Sequence, residues 1–167
     1  MNHPGIAMVL ATGGSVMVQS AYSTGKPALG VGPGNVPCYI HKSANVKRAA
    51  TDLMMSKTFD NGMICASEQS ANVDIEIADE FEAYMKENAC VFLSEEDTEK
   101  LEAAVIKLGP HPSVVPSIVG QTAYYIAKFA GIDVPGNTKI LLAKLTGAAP
   151  LIRFPLRNSV RFLPIMS

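Results

Sequence analysis

Residues 56–69 read SKTFDNGMICASEQ and place one cysteine, Cys65, shortly after a glycine. The preceding run has helical spacing, and Asn61 and Gly62 are expected to end it, because glycine readily adopts the left-handed conformation that other residues avoid. A cysteine on such a turn lies beside free backbone N–H groups, which suits a thiol that attacks a carbonyl. The pattern therefore predicts that Cys65 is a thioester-forming nucleophile. The alternative is a buried structural cysteine, the usual state of an arbitrary cysteine.

The composition is that of a globular protein. The chain has 167 residues, of which 48% are hydrophobic and 17% charged, and its net charge is −1. This balance gives no reason to expect nucleic acid or a membrane as partner, and no apolar run reaches the roughly 18–20 residues that span a bilayer. The N-terminus lacks the basic region of a signal peptide. Three cysteines without metal-type spacing favour neither a disulfide framework nor a metal site, so a cytoplasmic location is expected.

Short apolar segments alternate with amphipathic segments along the chain, which predicts an α/β layer architecture. Strands are expected at residues 6–10, which should be buried on both faces, at the two ends of 27–40, and at 69–77, 91–93 and 138–145. Helices are expected at residues 16–23, 44–59, 78–89, 94–107 and 121–130. Ser43 and Ser94 are the predicted N-caps of the second and fourth helices, with Asp97 completing a capping box at Ser94.

Glycine turns follow the first and second predicted strands. Thr12, Gly13 and Gly14 separate a strand from a helix, which is the arrangement in which a helix N-terminus meets an anionic ligand. The full GxGxxG signature is absent, so a tight turn without a ligand explains this stretch equally well. Gly32 and Gly34 belong to a second glycine-rich loop, which either admits a flat ligand or accommodates strained turns.

Three motifs together resemble one enzyme family. Residues 56–69, ATGG at 11–14 and TGKPALGVGPGNVP at 24–37 closely resemble the CoA-acylating aldehyde dehydrogenases, in particular the aldehyde dehydrogenase half of bifunctional aldehyde–alcohol dehydrogenases. The resemblance extends to about residue 145. It implies an aldehyde-dehydrogenase-like α/β fold, in which residues 1–60 form the C-terminal part of an NAD-binding domain and residues 61–150 part of the catalytic domain. Residues 151–167 diverge from the family, and we expect them to form a poorly packed end.

The resemblance also implies a site and a reaction. Cys65 would be the nucleophile, and Thr12, Gly13, Gly14, Gly32 and Gly34 would lie along NAD. An aldehyde such as acetaldehyde would form a thioester on the cysteine, and coenzyme A would then accept the acyl group. Hydrolytic relatives use water that a glutamate activates in the loop before the nucleophile, but residues 29–34 contain no acid. The missing carboxylate favours a thiol acceptor, and a homo-oligomer is expected for the full-length enzyme.

Two other interpretations stay open at the level of sequence. The chain is expected to be a segment of a longer enzyme, and the alternative to an active oxidoreductase is a truncated, non-catalytic remnant or interaction fragment. A thiol hydrolase that pairs Cys65 with His111 is a weaker hypothesis, since nothing in the sequence brings these two residues together. Cys38 and Cys90 lie in strand-like segments and are expected to be buried and inert.

Overall fold

The computed structural model describes residues 1–32, 34, 36–107, 113–145 and 159–165. The chain divides into two compact units, Met1–Asn35 and Val36–Ser167. The five helices in the described part are α1 (Ser15–Tyr22), α2 (Val46–Thr58), α3 (Ala78–Glu87), α4 (Glu95–Val105) and α5 (Ala123–Phe129). Its strands are β1 (Val9–Thr12), β2 (Ala28–Val31), β3 (Pro37–Ile40), β4 (Ser70–Asp74), β5 (Cys90–Leu93), β6 (Ile106–Lys107), β7 (Ser113–Val114), β8 (Ile140–Leu145) and β9 (Ser159–Ile165).

The first unit is a strand–helix–strand element. Strands β1 and β2 pair in parallel, and α1 connects them. Val9, Ala11 and Ala21 form its small core. We predicted a first strand buried on both faces, but β1 buries only alternate residues, and Leu10 is 76% exposed. Successive side chains of a strand point to opposite faces, and in this unit α1 packs against one face of the pair.

The second unit is built around a five-stranded sheet with the order β3-β4-β9-β8-β5. The pairs β3–β4 and β5–β8 are parallel, whereas β9 is antiparallel to both of its neighbours. A short antiparallel ribbon, β6–β7, lies apart from this sheet. Parallel strands joined by helices confirm the α/β class that the alternating pattern predicted.

Helices cover both faces of this sheet. On one face, α2 and α3 contribute Leu53, Phe81 and Met85 to a core that also contains Leu142 of β8. On the other face, α4 and α5 contribute residues such as Leu101 and Ile126, which pack with Leu141. Neighbouring residues of β8 therefore pack into the cores on opposite faces of the sheet. Because each fully buried side chain of this size contributes about 1.5–3 kcal/mol, the two cores hold the helices firmly against the sheet.

The N-caps show one correction and one confirmation. Ser94 accepts a hydrogen bond from the backbone N–H of Asp97 at 3.1 Å, so the predicted cap of α4 is confirmed. The predicted cap of α2 is wrong. Asn45 performs that role and accepts from the N–H of Arg48 at 3.0 Å, while the Ser43 hydroxyl lies 2.9 Å from His41 Nδ1.

The end of the chain also differs from expectation. We predicted a poorly packed end over residues 151–167, of which 151–158 and 166–167 lie outside the described residues. The prediction is wrong for residues 159–165, which form β9 and pair with β4 on one side and β8 on the other. The physical reason is that inserted backbone satisfies donors and acceptors of both neighbouring strands. The predicted strand at residues 69–77 is likewise shorter, because a 3₁₀ turn over Ile75–Ile77 follows β4.

Candidate active site

The Cys65 loop, residues 59–69, connects α2 to β4 in the second unit. It begins with a tight turn in which Asp60, Asn61 and Gly62 have φ values of 51°, 49° and 69°. The left-handed region is costly for residues with a side chain, although Asn and Asp tolerate it better than most. The predicted turn at Gly62 is therefore confirmed, and it involves two further residues.

Cys65 occupies a second turn within the same loop. The backbone N–H of Ser67 donates to the carbonyl of Ile64 at 3.0 Å, which leaves Cys65 and Ala66 at the centre of the turn. The Cys65 side chain is exposed, so the buried structural alternative does not describe it. Among the described residues, the N–H groups of Cys65 and Ala66 donate to no acceptor. An exposed thiol with unused backbone donors beside it can attack a carbonyl and stabilise the oxygen that becomes negative.

A distant segment supports this loop. The side-chain amide of Asn61 donates to the carbonyl of Gly120 at 2.9 Å. Met63 lies against the same glycine, because a Cβ atom on Gly120 would come within 2.7 Å of Met63 Sδ. Gly120 itself has a φ of +73°. The first half of the loop therefore rests on a glycine turn that follows a 3₁₀ turn over Pro116–Ile118.

A buried lysine and a partly buried carboxylate lie at the base of the loop. Lys57, in the last turn of α2, is only 4% exposed, and burial lowers the pKa of its ammonium group. The Glu68 carboxylate acts in the opposite direction on this pKa. For Cys38 in β3, burial raises the pKa of the thiol, and Glu68 raises it further. Glu68 thus acts electrostatically on both Lys57 and Cys38.

An apolar cleft of about 360 Å³ borders the loop. Its lining consists of Met55, Ser56, Phe59, Ile64, Ala66 and Ser67. The residues on either side of Cys65 therefore belong to this cleft, although Phe59 and Met55 remain 65% and 61% exposed. The cleft offers space for a small apolar group beside the backbone of the Cys65 loop.

The predicted cofactor glycines lie in the first unit, at the carboxyl ends of β1 and β2. Thr12 pairs with Val31, and the N–H of Gly13 donates to the Val31 carbonyl at 3.1 Å, so the two turns are adjacent. Gly14 precedes α1, and a Cβ atom there would meet no atom within 4 Å. Gly32 and Gly34 are equally open. Among the described glycines of this unit, Gly30 has the tightest surroundings, since a Cβ atom would lie 2.6 Å from Val18 Cγ1.

Two cysteines and the residue types that bind metals remain to be placed within the described part of the chain. Cys90 is buried, as predicted, and burial raises the pKa of its thiol to about 12. Cys38 is only half-buried, so the prediction of a buried residue is too strong for it. In the described ranges, no group of three or more His, Cys, Asp or Glu residues is arranged to hold a metal ion. No helix of that part of the chain has both the length and the hydropathy of a membrane span. His111 lies outside the described residues.

Comparison with known proteins now assigns the family. The sequence profile described as "Aldehyde dehydrogenase family" matches residues 1–109, which is more than half of the chain. The chain belongs to the aldehyde dehydrogenase family. The fold and the family resemblance predicted from the three motifs are thereby confirmed.

Individual members of the aldehyde dehydrogenase family agree with this assignment. The chain is 47% identical over 156 residues to aldehyde-alcohol dehydrogenase 2 of Entamoeba histolytica, a match that covers 90% of this chain and 18% of that protein. The crystal structure of an acetylating aldehyde dehydrogenase from Geobacillus thermoglucosidasius superposes with a TM-score of 0.82 at 44% identity, over 89% of this chain and 32% of that one. The chain thus spans less than a fifth of the length of this curated relative.

A third member of the family is informative about chemistry. The structure of a propionaldehyde dehydrogenase from Rhodopseudomonas palustris contains bound CoA and an acylated cysteine. It is 30% identical to this chain and superposes with a TM-score of 0.78, over 89% of this chain and 34% of that one.

Sequence reasoning missed the residues that support the Cys65 loop. Asn61 was assigned only to the end of a helix, and Gly120 carried no visible signal, because its importance arises from a contact with Met63 far along the chain. The burial of Lys57 in the last turn of α2 was not predicted either.

Proposed function

We propose that Cys65 is the acyl-carrying nucleophile of a CoA-acylating aldehyde dehydrogenase. The observation that carries this proposal is the position of Cys65 on the turn between Ile64 and Ser67, exposed and beside two backbone N–H groups with no described acceptor. The family assignment and the acylated cysteine of the Rhodopseudomonas palustris relative support it.

The residues of the loop account for the covalent steps. The Cys65 thiolate adds to the aldehyde carbon, and the N–H groups of the turn stabilise the resulting alkoxide. A nicotinamide cofactor, when bound, accepts the hydride that leaves this carbon. The sulfur then holds the acyl group as a thioester until the thiol of CoA displaces it. The sum is aldehyde, CoA and NAD⁺ giving acyl-CoA, NADH and a proton.

The scarcity of carboxylates that could serve as a base favours CoA over water as the acyl acceptor. Water needs a general base, which typically contributes about 10²–10⁴-fold, whereas a thiol needs less assistance. No acid precedes the loop in residues 1–51. Within the loop, Asp60 is exposed in the strained turn, and Glu68 interacts with the buried Lys57. Glu68 is therefore engaged electrostatically with Lys57, and residues 1–51 supply no carboxylate base for water.

The glycine turns of the first unit are compatible with NAD. Gly14, Gly32 and Gly34 have no neighbour where a Cβ atom would lie, so backbone at the ends of β1 and β2 is open to a ligand. Thr12 and Gly13 complete this edge. We propose that these five residues contact the dinucleotide. The sequence resemblance further supports acetaldehyde as the aldehyde and a cytoplasmic homo-oligomer as the complete enzyme.

Acyl transfer from acetyl-CoA to the chain tests the role of Cys65 without the cofactor. We expect mass spectrometry to find an acetyl group on the peptide that contains Cys65, and the modification to disappear in Cys65→Ser but not in Cys38→Ser. NADH formation from acetaldehyde, NAD⁺ and CoA tests the whole reaction. A chain that folds but never becomes acetylated would instead be a non-catalytic segment.

A further inference from the structure

We infer that Gly120 is a positioning residue for Cys65, since its lack of a side chain allows the Cys65 loop to rest on it. The inference builds on the proposed role of Cys65 as nucleophile. Gly120 does not touch the reacting atoms. It acts through Asn61 and Met63, which precede Cys65 in the loop.

One hydrogen bond ties the loop to a segment that is distant in the sequence. It runs from the Asn61 side-chain amide to the Gly120 carbonyl. The turns at Asp60–Met63 and Ile64–Ser67 are closed by bonds within the loop. Further along the chain, the backbone N–H of Gln69 donates to the Val36 carbonyl at 2.9 Å, just before β4. The position of Cys65 therefore depends strongly on the contact with Gly120.

Gly120 is well suited to this role because the turn around it is rigid. Ile118 is completely buried in the core formed with α4 and α5. The N–H of Val115 bonds to the Val105 carbonyl at 2.9 Å, and the N–H of Gln121 bonds to the Ile118 carbonyl at 3.1 Å. Because this turn is attached to the core, it provides a fixed support for the loop that contacts it.

A methyl group at Gly120 does not fit unless Met63 moves. A Cβ atom would lie 2.7 Å from Met63 Sδ, a separation that forces this methionine side chain to shift. Gly131 provides a matched control. It has the same φ of +73°, but a Cβ atom there would meet nothing within 4 Å. Alanine at either position has the same backbone strain, and of the two only alanine at 120 displaces the Met63 side chain from its place against the turn.

The test compares Gly120→Ala with Gly131→Ala in the full chain, using iodoacetamide at neutral pH and peptide mass spectrometry to follow each cysteine separately. We expect the alkylation rate of Cys65 to fall by about threefold or more in Gly120→Ala and to stay within about twofold in Gly131→Ala. Buried Cys90 is the internal reference. A general loosening of the fold would expose Cys90, whereas a displaced loop leaves it protected.

Two further variants keep the test decisive if Gly120→Ala folds poorly. In a Met63→Ala background the clash is absent, so adding Gly120→Ala should have less than half of its effect on Cys65. Asn61→Asp preserves size and tolerance of the left-handed backbone but removes the donor to Gly120, and because Asn61 is exposed, folding should survive. This variant should also slow Cys65 selectively.

Equal effects of Gly120→Ala and Gly131→Ala on Cys65, or no effect of Asn61→Asp, would overturn the inference. Because alkylation requires neither CoA nor turnover, these results remain separate from the proposed function. A chain that never accepts an acetyl group would contradict the function, while selective slowing of Cys65 alkylation would still establish the positioning role.

Discussion

The ammonium group of Lys57 and the carboxylate of Glu68 attract each other across the base of the Cys65 loop. Lys57 belongs to the last turn of α2, and Glu68 lies just before β4, so the pair joins the two ends of the loop. Lys57 is 4% exposed, and Glu68 Oε2 is buried without a hydrogen-bond donor among the described residues. The cost of burying the lysine charge is therefore offset in part by the carboxylate.

Removing only the carboxylate should destabilise the chain. In Glu68→Gln the buried Lys57 charge loses the attraction of this carboxylate, and we expect the free energy of unfolding in urea to fall by about 2 kcal/mol. Adding Lys57→Met should recover most of this loss, because an apolar side chain suits the buried position. Glu96→Gln, which breaks an exposed pair with Lys100, is the control and should change little. Additive losses in the Lys57 and Glu68 variants would show that the two groups do not interact.

Asp74 should make the fold more resistant to acid. The Tyr39 hydroxyl donates to Asp74 at 2.7 Å and the N–H of Lys42 at 2.8 Å, and both bonds lower the pKa of this carboxyl. Because the folded-state pKa lies below the ordinary value of about 3.9, the unfolded chain binds more protons between the two. Stability from Asp74 is thus complete above the ordinary value and is lost as pH falls through the folded pKa.

Tyr39→Phe removes the larger of these effects on Asp74. We expect the pKa of Asp74, followed by NMR titration, to rise towards its ordinary value, and acid unfolding to begin at higher pH than in the unsubstituted chain. Tyr125→Phe, at another exposed tyrosine, should leave both quantities unchanged. An unchanged Asp74 titration in Tyr39→Phe would contradict the assignment.

The three cysteines should react with thiol reagents in the order Cys65, Cys38, Cys90. Cys65 is exposed, Cys38 is half-buried with a raised pKa, and burial raises the pKa of Cys90 to about 12. Thiolates are the reactive species, so burial and a raised pKa act in the same direction. Timed alkylation of the native chain with peptide mapping measures the order. Modification of Cys90 before unfolding would be inconsistent with its position in the core.

The N-cap of α2 should be sensitive at Asn45 and insensitive at Ser43. Asn45→Ala removes the acceptor for the Arg48 N–H, and we expect a loss of about 1 kcal/mol in the free energy of unfolding. Ser43→Ala removes only a hydroxyl that contacts His41, so its effect should be within about 0.5 kcal/mol. Ser94→Ala serves as a positive control, with a loss similar to that of Asn45→Ala. The reverse ranking of positions 43 and 45 would contradict the observed cap.

Local patterns explain which elements could be predicted. The helix α4 was predicted with its cap because Ser94 and Asp97 interact within one turn, and α1 ends before Gly25, whose φ is +69°. The cap of α2 was missed because Ser43 and Asn45 are both good N-caps two residues apart. The choice depended on His41, which already contacts the Ser43 hydroxyl.

Long-range pairing explains what could not be predicted. Strand β9 lies between β4 and β8, an order that neither its residues nor those of its neighbours specify locally. The exposure of Leu10 similarly depends on which face of the β1–β2 pair α1 covers. The functional boundaries predicted at residues 60 and 150 stay predictions. The division into compact units, which follows Asn35, is a different property of the chain.

The sequence alone determined the α/β class, the family resemblance and Cys65 as the candidate nucleophile, because periodicity, glycine turns and the 56–69 motif are local properties of the chain. Tertiary structure alone decided how that cysteine is held. Gly120, Asn61 and Met63 meet across a wide separation in sequence, and Lys57 is buried with Glu68 only once α2 and β4 have packed. Contacts of this kind depend on shape in three dimensions, and a bare glycine beside a methionine sulfur leaves no pattern in the sequence.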